Sequence, residues 1–116
     1  MRVKAAIWVA AYLRRVNASG ASAVLVRRGA EEAGPIFIRI DRLDGTGELY
    51  SPAPQSAYDE ASPTDRLFTR RFPGGPAPAE RLAEAIAREL RMDPDLWLID
   101  VEDRDGRNFL DELVVE

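Results

Sequence analysis

The sequence predicts a single α+β domain with a mostly antiparallel sheet of five or six strands and two helices, the longer helix packed on one sheet face. Three observations support this fold class. Several short runs alternate apolar and polar residues, as strands do, and one longer run repeats its apolar residues at helical spacing. The chain also has 116 residues, enough for one domain with a buried core, so we treat residues 1–116 as that domain.

The N-terminal segment combines two patterns. Residues 3–9 have strand-like composition, whereas apolar residues recur at helical spacing from Val9 to Val16. We therefore predict a short strand that continues into a helix, and the helix ends near residues 17–20 with Gly20 as its C-terminal stop.

Two turns divide the next part of the chain into three β-rich runs, Ala23–Arg28, Pro35–Arg42 and Glu48–Ser51. Short runs joined by glycine-containing turns are typical of an antiparallel meander. We expect Val26 to pair with Ile38 in the first hairpin.

This register sorts the side chains between two faces. It places Ile36, Ile38 and Ile40 on the core face, and the second hairpin brings Tyr50 near Ile40. The opposite face then carries Leu25, Arg27, Phe37 and Arg39.

The middle of the chain contains a predicted loop, a strand and a helix, in that order. Residues 52–64 are rich in proline, alanine, serine and charge without periodicity, which predicts a surface loop. Arg66–Phe72 returns to strand alternation, and Pro78–Leu90 is the clearest helix of the chain. The apolar stripe of that helix consists of Ala79, Leu82, Ala83, Ile86 and Leu90.

The C-terminal part begins with a strand and ends in an acidic segment. Leu96–Val101 is apolar on both sides, which predicts a central strand. Asp103–Gly106 predicts a turn, and residues 108–116 predict a weakly structured acidic tail. Residues 91–116 carry nine acidic and three basic side chains.

The composition excludes several kinds of chemistry. The chain has no histidine and no cysteine, so it cannot use Ser-His-Asp or Cys-His catalysis, thiolates, disulfides or the usual zinc sites. Lys4 is the only lysine, and nothing in the sequence marks it as a Schiff-base residue. We expect no cofactor, and a non-enzymatic protein is favoured over an enzyme.

Net charge and apolar runs limit the partners and the location. The net charge of −4 disfavours nucleic acid. The apolar run Ala5–Leu13 imitates a signal peptide, but Arg14 and Arg15 interrupt it, and it is too short to span a bilayer. We therefore expect a cytoplasmic protein without a membrane segment.

A first candidate site lies on the predicted second face. Arg27, Arg39 and Arg71 around Phe37 form a guanidinium-lined aromatic surface that could hold a carboxylate, a phosphate or a flat ring. The alternative interpretation is that the arginines pair with acidic residues at the rim of a covered face.

A second candidate uses the same face as an interface. Leu25, Phe37 and Leu49 would be covered by the second helix, by a second copy in a homodimer, or by another protein.

The acidic turn supplies weak metal candidates. Asp103, Asp105 and Glu112 match three positions of a calcium loop, but Val101 stands where the first carboxylate belongs. A hairpin turn explains these residues better. Asp100, Glu102, Asp103 and Asp105 could in principle supply a carboxylate pair for acid–base or magnesium chemistry, and a solvated acidic turn is the alternative interpretation.

Six short motifs also carry a family resemblance. They are Ile7–Arg15, Arg27–Gly29, Leu43–Gly45, Leu49–Tyr50 with Pro52–Gln55, Asp93–Trp97 and Glu102–Arg107. As a set they resemble a family of small, mostly alphaproteobacterial proteins known as domain of unknown function number fourteen ninety-one. The resemblance implies no activity, ligand or catalytic residue.

Three functional hypotheses follow. The sequence favours a binding or assembly module that meets another copy or a protein partner through a sheet face or edge. Recognition of a small anion or nucleotide by the sheet arginines is the alternative. A carboxylate- or metal-dependent enzyme is the third hypothesis.

Overall fold

A computed structural model describes residues 3–54 and 66–115, so most of the predicted loop at 52–64 lies outside the described residues. Within these described residues the fold is α+β, with two α-helices and a six-stranded sheet that is mostly antiparallel and contains one parallel pair. In chain order the elements are α1 (Ala5–Ala18), β1 (Ser22–Arg27), β2 (Ile36–Asp41), β3 (Thr46–Pro52), β4 (Phe68–Arg70), β5 (Ala77–Pro78), α2 (Ala79–Met92) and β6 (Trp97–Glu102).

The two helices have 14 residues each, so neither is the longer one. The predicted N-terminal strand is wrong, because the helix already begins at Ala5. The backbone amide of Ala5 donates to the carbonyl oxygen of Glu32, so the loop before β2 satisfies the start of α1. The predicted stop is confirmed, since α1 ends at Ala18 and Gly20 follows with a φ of +97°.

The sheet order is β1-β6-β2-β3-β4, and β5 pairs with β3. The predicted hairpin between β1 and β2 is therefore wrong, because β6 lies between them. β6 is antiparallel to β1 and parallel to β2. The prediction that β6 is a central strand is confirmed.

The segment that joins β1 to β2 passes around the start of β6 instead of forming a hairpin turn. The Ala30 amide donates to the Asp95 carbonyl oxygen at 2.9 Å, and Trp97 Nε1 donates to the Ala30 carbonyl oxygen at 2.8 Å. A Cβ at Gly29 or Gly34 would clash with the same Asp95 carbonyl oxygen. The glycines that suggested a turn are thus needed for close approach to β6.

The hairpin of β2 and β3 is confirmed, with a register two residues from the predicted one. Ile38 pairs with Tyr50 and Ile40 pairs with Glu48. Because side chains alternate with a period of two, a two-residue difference leaves every side chain on its predicted face.

The sheet has an α1 face and an α2 face, each named after the helix whose residues share a buried cluster with it. On the α1 face, Ile38, Ile40 and Ile99 share one buried cluster with Tyr12 of α1. On the α2 face, the sheet residues Phe37, Leu49 and Leu98 share a second buried cluster with residues of α2. The α2 members of that cluster are Leu82, Ala85 and Ile86.

The C-terminal residues 108–115 contact both the sheet and α1. Leu110 is buried with the α1-face cluster, and the Val115 amide donates to the Phe68 carbonyl oxygen at 2.8 Å. The Tyr12 hydroxyl donates to the Asn108 carbonyl oxygen at 2.7 Å.

Candidate functional site

The α2 face opens into a cleft of about 410 Å³ between β1 and the first turn of α2. Its lining comes from β1, β6, β2 and β3 and from the helix. The lining residues are Ser22, Val24, Arg39, Asp41, Thr46, Ala79, Leu82, Asp100 and Glu102.

The charged end of the cleft follows from the parallel pairing of β2 and β6. Along the α2 face, β2 changes from Phe37 through Arg39 to Asp41, and β6 makes the same change from Leu98 toward Glu102. The register pairs Phe37 with Leu98 and Asp41 with Glu102. Parallel strands therefore bring both charged ends to one end of the face.

An ion pair forms the floor of the cleft. Arg39 Nε donates to Asp100 Oδ1 at 2.8 Å, and a terminal nitrogen of the same guanidinium donates to Asp100 Oδ2 at 2.9 Å. This two-point contact fixes both side chains. Asp41 and Glu102 are exposed beside it, so the lining carries three carboxylates and one guanidinium.

The other wall of the cleft is apolar. Val24 of β1 is 55% exposed, whereas Leu82 of α2 is buried at the opposite side. Val26, the extra residue at the β-bulge of β1, does not line the cleft but is also 50% exposed. The cleft therefore combines aliphatic surface with excess negative charge.

The chain matches a known protein family over most of its length. A family model described as a protein of unknown function, DUF1491, matches residues 3–111. The chain belongs to the DUF1491 family. A search of curated proteins found no match.

Solved structures of DUF1491 proteins share the fold over 88% to 100% of this chain. The crystal structure of a family protein from Caulobacter crescentus is 35% identical with a TM-score of 0.79, and 100% of each chain is covered. An NMR structure of a family protein from the same organism is 36% identical, with a TM-score of 0.75 and coverage of 100% and 99%. A protein from Agrobacterium tumefaciens, solved in solution, is 40% identical with a TM-score of 0.73, and the match covers 88% of this chain and 86% of that protein.

The arginines predicted to bind an anion in this DUF1491 chain have protein partners. Arg39 binds Asp100, and the Arg71 guanidinium donates to Glu89 at 2.7 Å. Arg27 donates to the Pro94 carbonyl oxygen at 2.6 Å. An incoming anion would have to compete with those carboxylates and that carbonyl group.

The three predicted interface residues do not share one exposed surface. Phe37 and Leu49 are buried on the α2 face, in the cluster that includes α2 residues. Leu25 is paired with Ile99, so the prediction that it shares their face is wrong. It packs against the α1-face cluster, because β1 pairs with β6 and not with β2.

The acidic turn is confirmed, with the Gly106 amide donating to the Asp103 carbonyl oxygen. Asp103 is buried, and its carboxylate accepts a hydrogen bond from the Arg107 backbone amide at 2.7 Å. It also accepts hydrogen bonds from the Arg107 guanidinium, the shortest of which is 2.7 Å. The hydrogen bonds from the Arg107 side chain are the main cause that lowers the pKa of Asp103. The side chain of Asp105 is exposed, and that of Glu112 lies outside the described part.

The described residues contain no group of three or more acidic side chains arranged to hold a metal ion. No helix in residues 3–54 and 66–115 is long and apolar enough to cross a membrane.

The cleft itself was not predicted. Asp41 and Ser22 carry no motif, and Glu102 stands in the family motif Glu102–Arg107 and among the carboxylates around the acidic turn, with nothing that relates it to Asp41. Strand alternation does assign these residues to a face. It does not show that β6 separates β1 from β2, and the cleft exists only in that arrangement.

Proposed function

We propose that this DUF1491 protein is a non-enzymatic binding module that takes a basic segment of a partner protein on the α2 face. The observation that carries the proposal is the cleft, in which an excess of carboxylates faces exposed aliphatic surface. Lysine and arginine side chains match both properties, because their aliphatic stems cover apolar surface while their charged ends remain at the rim.

The position of α2 supports a site on this face. α2 packs over β2 and β3 through Leu82, Ala85 and Ile86, which leaves the surface near β1 uncovered. Val24 and Val26 therefore remain accessible at the side of the sheet that α2 does not reach. Exposed apolar residues that lie next to an open cleft mark a contact surface more often than an isolated valine does.

The charge in the cleft selects the sign of the partner. The Arg39 guanidinium is already neutralised by Asp100, so the carboxylates of Asp41 and Glu102 set the local potential. Paired potentials of opposite sign increase association rates and reject partners of like charge. This charge pattern favours a cationic segment over the small anion considered as the alternative.

Peptide binding tests the proposal directly. A fluorescent peptide that alternates arginine or lysine with aliphatic residues is titrated with the protein, and binding is followed by anisotropy. We expect binding that weakens with salt, and no binding of a peptide in which glutamate replaces each basic residue.

A matched pair of double variants locates the site. Asp41→Asn combined with Glu102→Gln removes two carboxylates from the cleft and should weaken binding about tenfold. Glu31→Gln combined with Glu84→Gln removes two exposed carboxylates elsewhere and should leave the affinity unchanged. Equal affinity of both double variants, or no binding of the basic peptide at millimolar protein, contradicts the proposal.

A further inference from the structure

The outward-facing backbone of β1 is a different feature from the cleft, to which β1 contributes the side chains of Ser22 and Val24. β1 is the terminal strand of the sheet, and in the part of the chain that the structure describes no strand pairs with its outer side. Such an edge presents backbone donors and acceptors that can pair with another strand.

The hydrogen bonds of the sheet show which groups point outward. The Trp97 amide donates toward β2, to the Pro35 carbonyl oxygen, so alternate residues of β6 pair with β2 and the intervening ones with β1. The backbone groups of Ala23 and Leu25 therefore point away from β6.

A side chain occupies the first of these two positions. The Ala23 amide donates to Asn17 Oδ1 at 3.0 Å, and Asn17 Nδ2 donates to the Ala23 carbonyl oxygen at 3.0 Å. These are the two hydrogen bonds that a residue of a neighbouring antiparallel strand would make. Asn17 Nδ2 also donates to the Leu13 carbonyl oxygen at 2.9 Å, which holds the amide in place on the last turn of α1.

We infer that the outer edge of β1 is a self-pairing surface for a second copy of this chain, and that Asn17 keeps it closed. The pairing is antiparallel and two-fold symmetric, with Val24 opposite Val24 of the second copy. Ala23 and Leu25 of each chain then exchange backbone hydrogen bonds across the axis. Asn17 blocks this arrangement because its amide already uses both backbone groups of Ala23.

The composition of the strand identifies a second copy as the occupant. Residues 22–26 carry no charge, so the paired strand segments themselves bring no like charges together. Val24 is exposed on β1, and the symmetric register places two such valines in contact at the axis. The β-bulge after Leu25 ends the regular edge, which confines the pairing to this short stretch.

The inference goes beyond the proposed function, because it concerns backbone pairing at the edge and not the charge of the cleft. Asn17→Ala should convert a monomer into a dimer, measured by light scattering after size exclusion. Ser19→Ala is the matched control, since it removes a hydrogen bond to the Val16 carbonyl oxygen from the same turn without contacting β1. Asn17→Asp gives a second variant that loses the donor to Ala23, and it carries the test if Asn17→Ala does not fold.

A disulfide tests the register. The chain has no cysteine, so Val24→Cys introduces a single thiol. Opposed residues of a non-hydrogen-bonded antiparallel pair have Cα atoms about 4.5 Å apart, which lies within the range that a disulfide accepts.

We expect Val24→Cys to form covalent dimers at least about tenfold faster in the Asn17→Ala background than with Asn17 present, since the pairing holds the two thiols together. Arg88→Cys in the Asn17→Ala background places a thiol on the exposed side of α2 and should not cross-link faster. A folded Asn17 variant that stays monomeric and cross-links no faster through position 24 overturns the inference. Dimerisation and fast cross-linking of Val24→Cys with Asn17 still present would overturn it as well, because the edge would then not be closed.

Discussion

The two faces of the sheet differ in how completely they are covered. On the α1 face, Tyr12, Trp97 and Ile99 are at most 1% exposed, and α1 and the C-terminal segment close the surface. On the α2 face, the apolar cluster extends only part of the way, and the remainder is a charged cleft beside exposed Val24. The same strands therefore provide a complete core on one side and a contact surface on the other.

The α1 face should respond most strongly to loss of volume. Ile99→Ala removes buried methyl groups from a fully enclosed position, so we expect a loss of about 3 kcal/mol in the free energy of unfolding. Val24→Ala on the α2 face should cost less than about 1 kcal/mol, because the side chain is more than half exposed. Urea unfolding of both variants measures the difference. Similar losses would show that the two faces are equally closed.

The acidic turn precedes the C-terminal segment that covers the α1 face. Because of Asp103, this turn should make the free energy of unfolding depend on pH. Asp103 accepts hydrogen bonds from the backbone amide and from two guanidinium nitrogens of Arg107, and replacing it with asparagine should cost about 1–3 kcal/mol at neutral pH. The hydrogen bonds from Arg107 lower the pKa of Asp103 in the folded chain. Its contribution is therefore present above the unfolded pKa of about 3.9 and is lost as the pH falls through the lower folded value.

Unfolding curves between neutral pH and pH 2 check this sign. The difference in stability between the unmodified chain and Asp103→Asn should shrink as the pH drops below about 4. A difference that stays constant over that range would assign the effect to packing and not to the ionised carboxylate. Asp105→Asn is the control, because the Asp105 side chain is exposed.

A small effect is expected at the ion pair on the floor of the cleft. The side chains of Arg39 and Asp100 are 26% and 30% exposed, so water weakens their attraction. A double-mutant cycle of Arg39→Met and Asp100→Asn should give a coupling of about 1 kcal/mol that decreases with salt. A coupling of several kcal/mol, insensitive to salt, would mean that this end of the α2 face is as enclosed as the α1 face.

The sequence predicted five of the six strands, the second helix and the central position of β6 from local patterns; the two-residue β5 was not predicted. It also assigned Phe37, Arg39 and Leu49 to one face correctly, because the face follows from alternation along the strand. It misplaced Leu25, whose face depends on which strand β1 pairs with. The start of α1 was missed because the apolar composition of residues 3–9 suits a strand as well as a buried helix.

Binary patterning, the stop at Gly20 and the exclusion of histidine and cysteine chemistry are properties of composition and of neighbouring residues, so they can be derived without a fold. The cleft is a property of strand order. It forms because β6, far along the chain, enters between β1 and β2 and runs parallel to β2, which brings Asp41 and Glu102 together. No local pattern encodes that pairing, because its energy comes from burying both faces of β6 against segments that are distant in the chain.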